Sequence, residues 1–188
     1  TAVISLYRFF DLRLVTQMVA LLLGGISLLY PFVLRKIPFL KIFVISFVWS
    51  ASTMFLLILE NSIIISQNEI IHLLTQFLFI FSITIPFDIR DVFYDTKKIT
   101  TIPLFFGVEK AKWMAFLALI ICVFLRFIQY FDGTLNQGYL LALISLYFIT
   151  SFFIFRSDTK REEMYFSFWG EGVSICAYLF LVISLLIY

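Results

Sequence analysis

Cysteine and charge are both scarce in this chain, and each shortage excludes something. The two cysteines, Cys122 and Cys176, lie inside apolar runs with no metal-ligand spacing. That removes a disulfide framework and a thiolate metal site, and leaves both as packing residues. Charged residues make up only 14% of the 188 positions, while 62% are hydrophobic and 20% aromatic, with a mean hydropathy of +1.04. A soluble domain of this size cannot hide so much apolar surface. The formal net charge of +2 is too small to attract nucleic acid. The opening residues "TAVISLYRFFDLR" have no basic stretch leading into an apolar core and no small-residue cleavage site, so they do not read as a signal peptide. Internal repeats, low-complexity tracts and a soluble domain are missing as well.

What is present is a series of continuous apolar runs, most near the length that crosses a bilayer as a helix and unlike the short alternating segments of a membrane barrel. Six spans are expected, over about 14–34, 39–59, 70–87, 113–130, 139–155 and 169–188. The third and fifth are short for a bilayer and are expected to bend or to extend into their loops. The fold class is therefore all-α, polytopic and membrane-embedded, a single transmembrane domain whose first partner is the lipid bilayer.

Six spans send the connections alternately to two sides. The loops 35–41, 88–112 and 156–168 share one side and carry Arg35, Lys36, Lys41, Arg90, Lys97, Lys98, Lys110, Lys112, Arg156, Lys160 and Arg161. The other side receives only Arg8, Arg13 and, near a span end, Arg126. The positive-inside rule makes the first side cytoplasmic and puts the C-terminus on the non-cytoplasmic side. The same topology leaves Thr1 outside without a signal peptide. The expectation is an odd number of spans upstream, with this chain the C-terminal part of a longer membrane protein.

The stretch "PFDIRDVFYD" at 86–95 interrupts the apolar pattern with Asp88, Asp91 and Asp95. On a continuous helix these fall at about 0°, 300° and 340°, with Lys98 at about 280°. Like charges on one face repel. Two readings fit: a solvated acidic face neutralised by Arg90, Lys97 and Lys98, or a site for a cation. With oxygen ligands alone the cation is a hard one such as Mg²⁺, which completes its shell with water and phosphate oxygens and so suits a bridged diphosphate. Glu171, in "FWGEGVSI", is a further candidate, because a carboxylate just inside a span is costly unless wet or paired. Its neighbours Gly170 and Gly172 allow a helix or ligand to approach, and Gly24–Gly25 suggest close packing or a kink. His72 reads as an interfacial residue at the outer end of the third span. Trp49, Trp113 and Trp169 lie near span ends or helix interfaces, the last two suited to an aromatic belt. The 25 phenylalanines suit either a lipid-facing surface or the lining of an apolar tunnel.

"DIRDVFYD" followed by "KKITTIPLFFG" resembles the second aspartate-rich motif of the UbiA superfamily of intramembrane prenyltransferases, D-x-x-D-x-x-x-D, a basic stretch, T-x-P and a glycine. Asp88, Asp91, Asp95, Thr101, Pro103 and Gly107 match in order. "LYPFVLRKIPFLKIFVISFVW" at 29–49 is similar to the family's basic hairpin between helices four and five. The resemblance covers most of the chain in topology and about 40 residues in sequence. It implies helices four to nine of a nine-helix fold. It further implies Mg²⁺ held by Asp88, Asp91 and Asp95, with Arg35, Lys36, Lys41 and Lys98 touching diphosphate oxygens. The substrates implied are a prenyl diphosphate and a hydrophobic acceptor. The chain departs from the family in having Ile99–Thr100 where a glycine often precedes T-x-P, and in carrying no first aspartate-rich motif; Asp11, Asp132 and Asp158 are isolated. Two functions therefore stand: a Mg²⁺-dependent prenyl transferase completed by an upstream motif, and a non-catalytic UbiA-like membrane subunit of a larger complex or lipid binder.

Overall fold

A computed structural model of the chain describes residues 9–32, 37–93 and 100–187. Among the described residues the principal helices are α1 Leu14–Leu29, α2 Leu40–Glu60 with a π turn over Ala51–Phe55, α3 Gln67–Arg90, the short α4 Ile102–Phe106, α5 Val108–Phe131, α6 Gln137–Arg156 and α7 Glu163–Ile187. Five of them (α2, α3, α5, α6 and α7) are long and apolar enough to cross a membrane. At 1.5 Å per residue a 24-residue helix such as α3 is roughly 36 Å long, more than a hydrocarbon core of about 30 Å. The chain is a multi-pass integral membrane protein. The first expected span, 14–34, is realised as the 16-residue α1, shorter than the others.

The helices outrun the apolar runs because their ends are polar but still helical. Ser66 caps α3: its hydroxyl accepts from the Asn68 N–H, and the Glu69 carboxylate accepts from the Ser66 N–H at 2.8 Å. This reciprocal box starts α3 at Gln67 rather than at 70. Glu109, Lys110 and Lys112 form the first turns of α5. Asn136 caps α6 through its side-chain oxygen. The short third and fifth spans are thus extended at their ends.

Helix α3 is the hub, packed against α2, α5, α6 and α7. It runs antiparallel to α5, as three contacts in register show. The Ser82 hydroxyl donates to the Ala115 carbonyl at 3.0 Å, the Cys122 thiol to the Thr75 carbonyl at 3.5 Å, and Arg126 meets His72 at 2.7 Å. Close approach is possible because α5 presents Ala111, Ala115, Ala118 and Cys122 to α3, all buried at helical spacing. Opposite them lie Phe81, Ile85 and Ile89. α6 and α7 pair through Phe153 against Tyr165 and Trp169. α1 packs against α2, tied at its start by the Arg13 N–H donating to Glu60 at 3.1 Å and by Arg13 to Ser62. Gly24 and Gly25 are not contact glycines, since no heavy atom lies within 4 Å of a Cβ built on either. Outward, the bundle exposes Leu, Ile and Phe side chains, the expected surface of helices solvated by lipid.

Candidate functional site: an ion-paired mouth over an apolar groove

Pro86 lies inside α3 and removes one backbone hydrogen bond two residues before Asp88. The helix ends at Arg90, and Asp91 opens a 3₁₀ turn, Asp91–Phe93. The Asp91 N–H still reaches back to the Phe87 carbonyl, and Asp88 and Asp91 lie together on the face that meets Lys41. Asp95 and Lys98, like Arg35 and Lys36, lie outside the described residues.

Lys41 joins the two carboxylates. Its ammonium is 2.7 Å from Asp88 Oδ1 and 3.6 Å from Asp91 Oδ2, while Arg90 Nε lies 2.7 Å from Asp91 Oδ1. Asp88 is only 1% exposed and Lys41 11%, against 24% for Asp91, so the inner pair is taken almost wholly out of water. A carboxylate this deeply buried is stable only with its partner in place.

Local structure explains why Lys41 is there. Phe39 adopts a left-handed backbone (φ 62°) at the start of α2, and its N–H donates to the Thr100 carbonyl at 2.9 Å. The Phe39 ring packs edge-on against Phe105 at 5.3 Å. Thr101 occupies the N-cap position of α4 with an extended backbone and no side-chain cap, and Pro103 sits in its first turn, where a missing N–H costs nothing. Gly107 (φ 87°, ψ 155°) joins α4 to α5 in a conformation that strains any other residue. The T-x-P…G string thus builds a short brace that holds the entry of α2 over the exit of α3.

Below the ion pairs a groove of about 400 Å³ opens between α2, α3 and α7. Lys41, Asp88 and Asp91 form its mouth; Ile45, Trp49, Ile80, Ile83, Phe87 and Thr84 form most of its walls, and α7 adds Ser174. From Asp88 to Ile80 the depth is roughly 12 Å at helical rise. Trp49 is therefore a groove wall two turns into α2. Phe87 is the one phenylalanine among the groove's described walls.

Glu171 is exposed on α7, lies outside the groove's described walls and forms no ion pair among the described residues. Gly170 beside it is a contact glycine: a Cβ there would lie 2.6 Å from the Phe87 ring, whereas Gly172 faces open space. At the opposite end of the bundle a second polar cluster had no sequence signal. Arg126 is 5% exposed and bonds His72 Nδ1 and Gln129 Oε1, both at 2.7 Å. His72, half-buried near the start of α3, joins this network.

The donor set at the mouth suits a hard cation. Two carboxylates already share one positive group, the Lys41 ammonium, so the geometry draws a cation between them. Among the described residues no cluster of three or more His, Cys, Asp or Glu is placed to hold a metal ion, and Asp88 with Asp91 makes two ligands. No protein family model, no curated protein and no solved structure matches this chain.

Proposed function

We propose that the chain is a UbiA-like membrane protein that receives a prenyl diphosphate in the α2–α3–α7 groove and takes part in transferring its prenyl group to a hydrophobic acceptor. The observation that carries the reading is the stacking of chemistries along one groove: a buried, cation-bridged pair of carboxylates at the mouth and hydrocarbon walls beneath. An amphiphile with a charged head and an apolar tail is the ligand such a groove fits. By the motif resemblance Asp88 and Asp91, with Asp95, would hold Mg²⁺, which when bound would supply positive charge to offset that of a diphosphate. Lys41, and Arg35, Lys36 and Lys98 by resemblance, add cationic contacts to the same anion. Ile45, Trp49, Ile83 and Phe87 keep water from the tail. The excess of Lys and Arg in the loops at this end puts the mouth in the cytoplasm and the C-terminus on the other side.

A second reading is favoured by one observation: the Lys41 ammonium already lies between Asp88 and Asp91, which among the described residues are the two carboxylates at the mouth. On that reading the chain is a non-catalytic subunit of a larger membrane complex that holds a lipid in the groove. Radiolabelled prenyl transfer in membranes, with and without Asp91→Ala, tests the first reading. Transfer that survives the substitution rules out the assigned site. Metal-independent binding of a prenyl thiodiphosphate, in membranes that show no transfer from the hydrolysable prenyl diphosphate, supports the second.

A further inference from the structure

A different site lies along the seam between α5 and α6, and it rests on neither reading above. At the same end of the bundle as Asp88, a polar cavity of about 490 Å³ is lined by Lys112, Phe155, Arg156, Ser157, Asp158, Lys160 and Arg161. Four cations face one carboxylate. Glu109 pairs with Lys112 at 2.8 Å, and counting it still leaves a surplus of two positive charges. The Asp158 carboxyl sits below the usual carboxylate range because the Lys160 backbone N–H donates to it, so it is charged and already part of this sum. Lys112 is 7% exposed yet lines the cavity. The guanidiniums are held in place by aromatic faces, Arg156 over Phe152 at 4.3 Å and Arg161 over Tyr165 at 5.3 Å. Among the described residues neither Arg156, Lys160 nor Arg161 forms an ion pair, so their charge is available to an anion.

Directly below, on the same seam, an apolar groove of about 240 Å³ is lined by Phe116, Leu119, Ile120, Val123, Ile144, Tyr147, Phe148 and Ser151. The two cavities meet at Phe155 and Phe116, whose rings are 5.1 Å apart, with Trp113 edge-on to Phe155 at 5.3 Å. Exposed aromatics at this level mark the lipid interface. A soluble phosphate would use only the upper cavity. A zwitterionic lipid carries the same phosphate, but its headgroup cation would meet the surplus of positive charge in the upper cavity.

We infer that the α5–α6 seam binds one anionic phospholipid, its phosphate among Lys112, Arg156, Lys160 and Arg161 and an acyl chain in the Phe116–Ser151 groove. The two cavities, stacked head over tail, match that molecule's polarity along its length, and basic pockets between helices at a membrane face are where such headgroups settle.

Trp113 is the built-in reporter. With Trp49 and Trp169 changed to Phe, the remaining emission comes from Trp113, and the protein is reconstituted with dibrominated phosphatidylglycerol or dibrominated phosphatidylcholine as a minor lipid. Phosphatidylglycerol is expected to quench at a severalfold lower mole fraction, each removed cation lowering the preference about fivefold. Arg156→Gln with Arg161→Gln should abolish it. Both side chains are exposed, so the bundle tolerates the change, and the single Lys160→Gln gives a graded check. Ser151→Phe fills the groove and should weaken quenching with the headgroup pocket intact. Excess inorganic phosphate should leave the preference unchanged. Equal quenching by the two lipids, a preference that persists in the double variant, or its loss to inorganic phosphate each overturns the inference, the last in favour of a soluble anion.

Discussion

Substituting Lys41 tests the mouth most directly. Lys41→Met removes the ammonium that lies 2.7 Å from a carboxylate only 1% exposed. Breaking a fully buried pair costs about 3–5 kcal/mol, because the remaining ion is left without compensation. Two features lower that figure here. Lys41 keeps 11% of its surface, and Arg90 at 2.7 Å from Asp91 leaves another cation nearby. The expected loss is about 2–3 kcal/mol. Asp91→Asn removes a contact of 3.6 Å to a carboxylate 24% exposed, and is expected to cost below about 1 kcal/mol. Lys41→Arg keeps the charge and should fall between. The double change Lys41→Met with Asp88→Asn removes the orphaned charge and should recover much of the loss, giving a coupling of about 1.5 kcal/mol or more. Reversible unfolding in mixed micelles, followed by tryptophan emission, measures these four and Asp88→Asn alone, the single change that the coupling also needs. Equal losses for Lys41→Met and Asp91→Asn, or a coupling near zero, would refute the claim that Lys41–Asp88 is the buried member of the cluster.

Three further outcomes follow from particular contacts. Gly170→Ala sets a methyl against the Phe87 ring and should push that ring into the groove; the better helix propensity of Ala, about 1 kcal/mol, offsets the strain, so thermal stability stays close to wild type while prenyl thiodiphosphate binding weakens. Ser66→Ala removes the α3 cap and should cost about 1 kcal/mol in the same unfolding assay, with Ser66→Asp restoring it. Arg126→Leu strips partners from His72 and Gln129 and should cost about 1–3 kcal/mol; adding His72→Leu and Gln129→Leu should recover most of it, and a triple variant no more stable than the single shows that the network is not what the cation satisfies.

The spans were legible because apolar runs near membrane length have one physical use, and lipid allows few alternatives. Their ends were less so. α7 begins at Glu163, not near 169, and α5 at Val108, not near 113, since charged residues in a first turn do not stop a helix. The capping box at Ser66 and Glu69 was readable in principle and marks the true start of α3. The acidic cluster stood out at once, but its contact with Lys41 did not. Lys41 is 47 positions from Asp88, and charge topology puts both at one membrane face without saying that they touch. Asp88 and Asp91 share a face as their spacing of three predicts, while Asp95 lies outside the described residues. Arg126 and His72 carried no pattern, since each is a lone polar residue whose meaning depends on antiparallel register between α3 and α5.

The hydrogen bond from Phe39 to Thr100 has a consequence for how the site tolerates change. It fastens the residue just before α2 to the residue just before the T-x-P brace, while α3 fixes Asp88 from the other side. An insertion between Thr101 and Gly107 would move the brace and, with it, the start of α2 that seats Lys41 over Asp88. The cation's position is thus written in a segment distant from it in sequence, and a change there is felt at the mouth without altering a single charged residue.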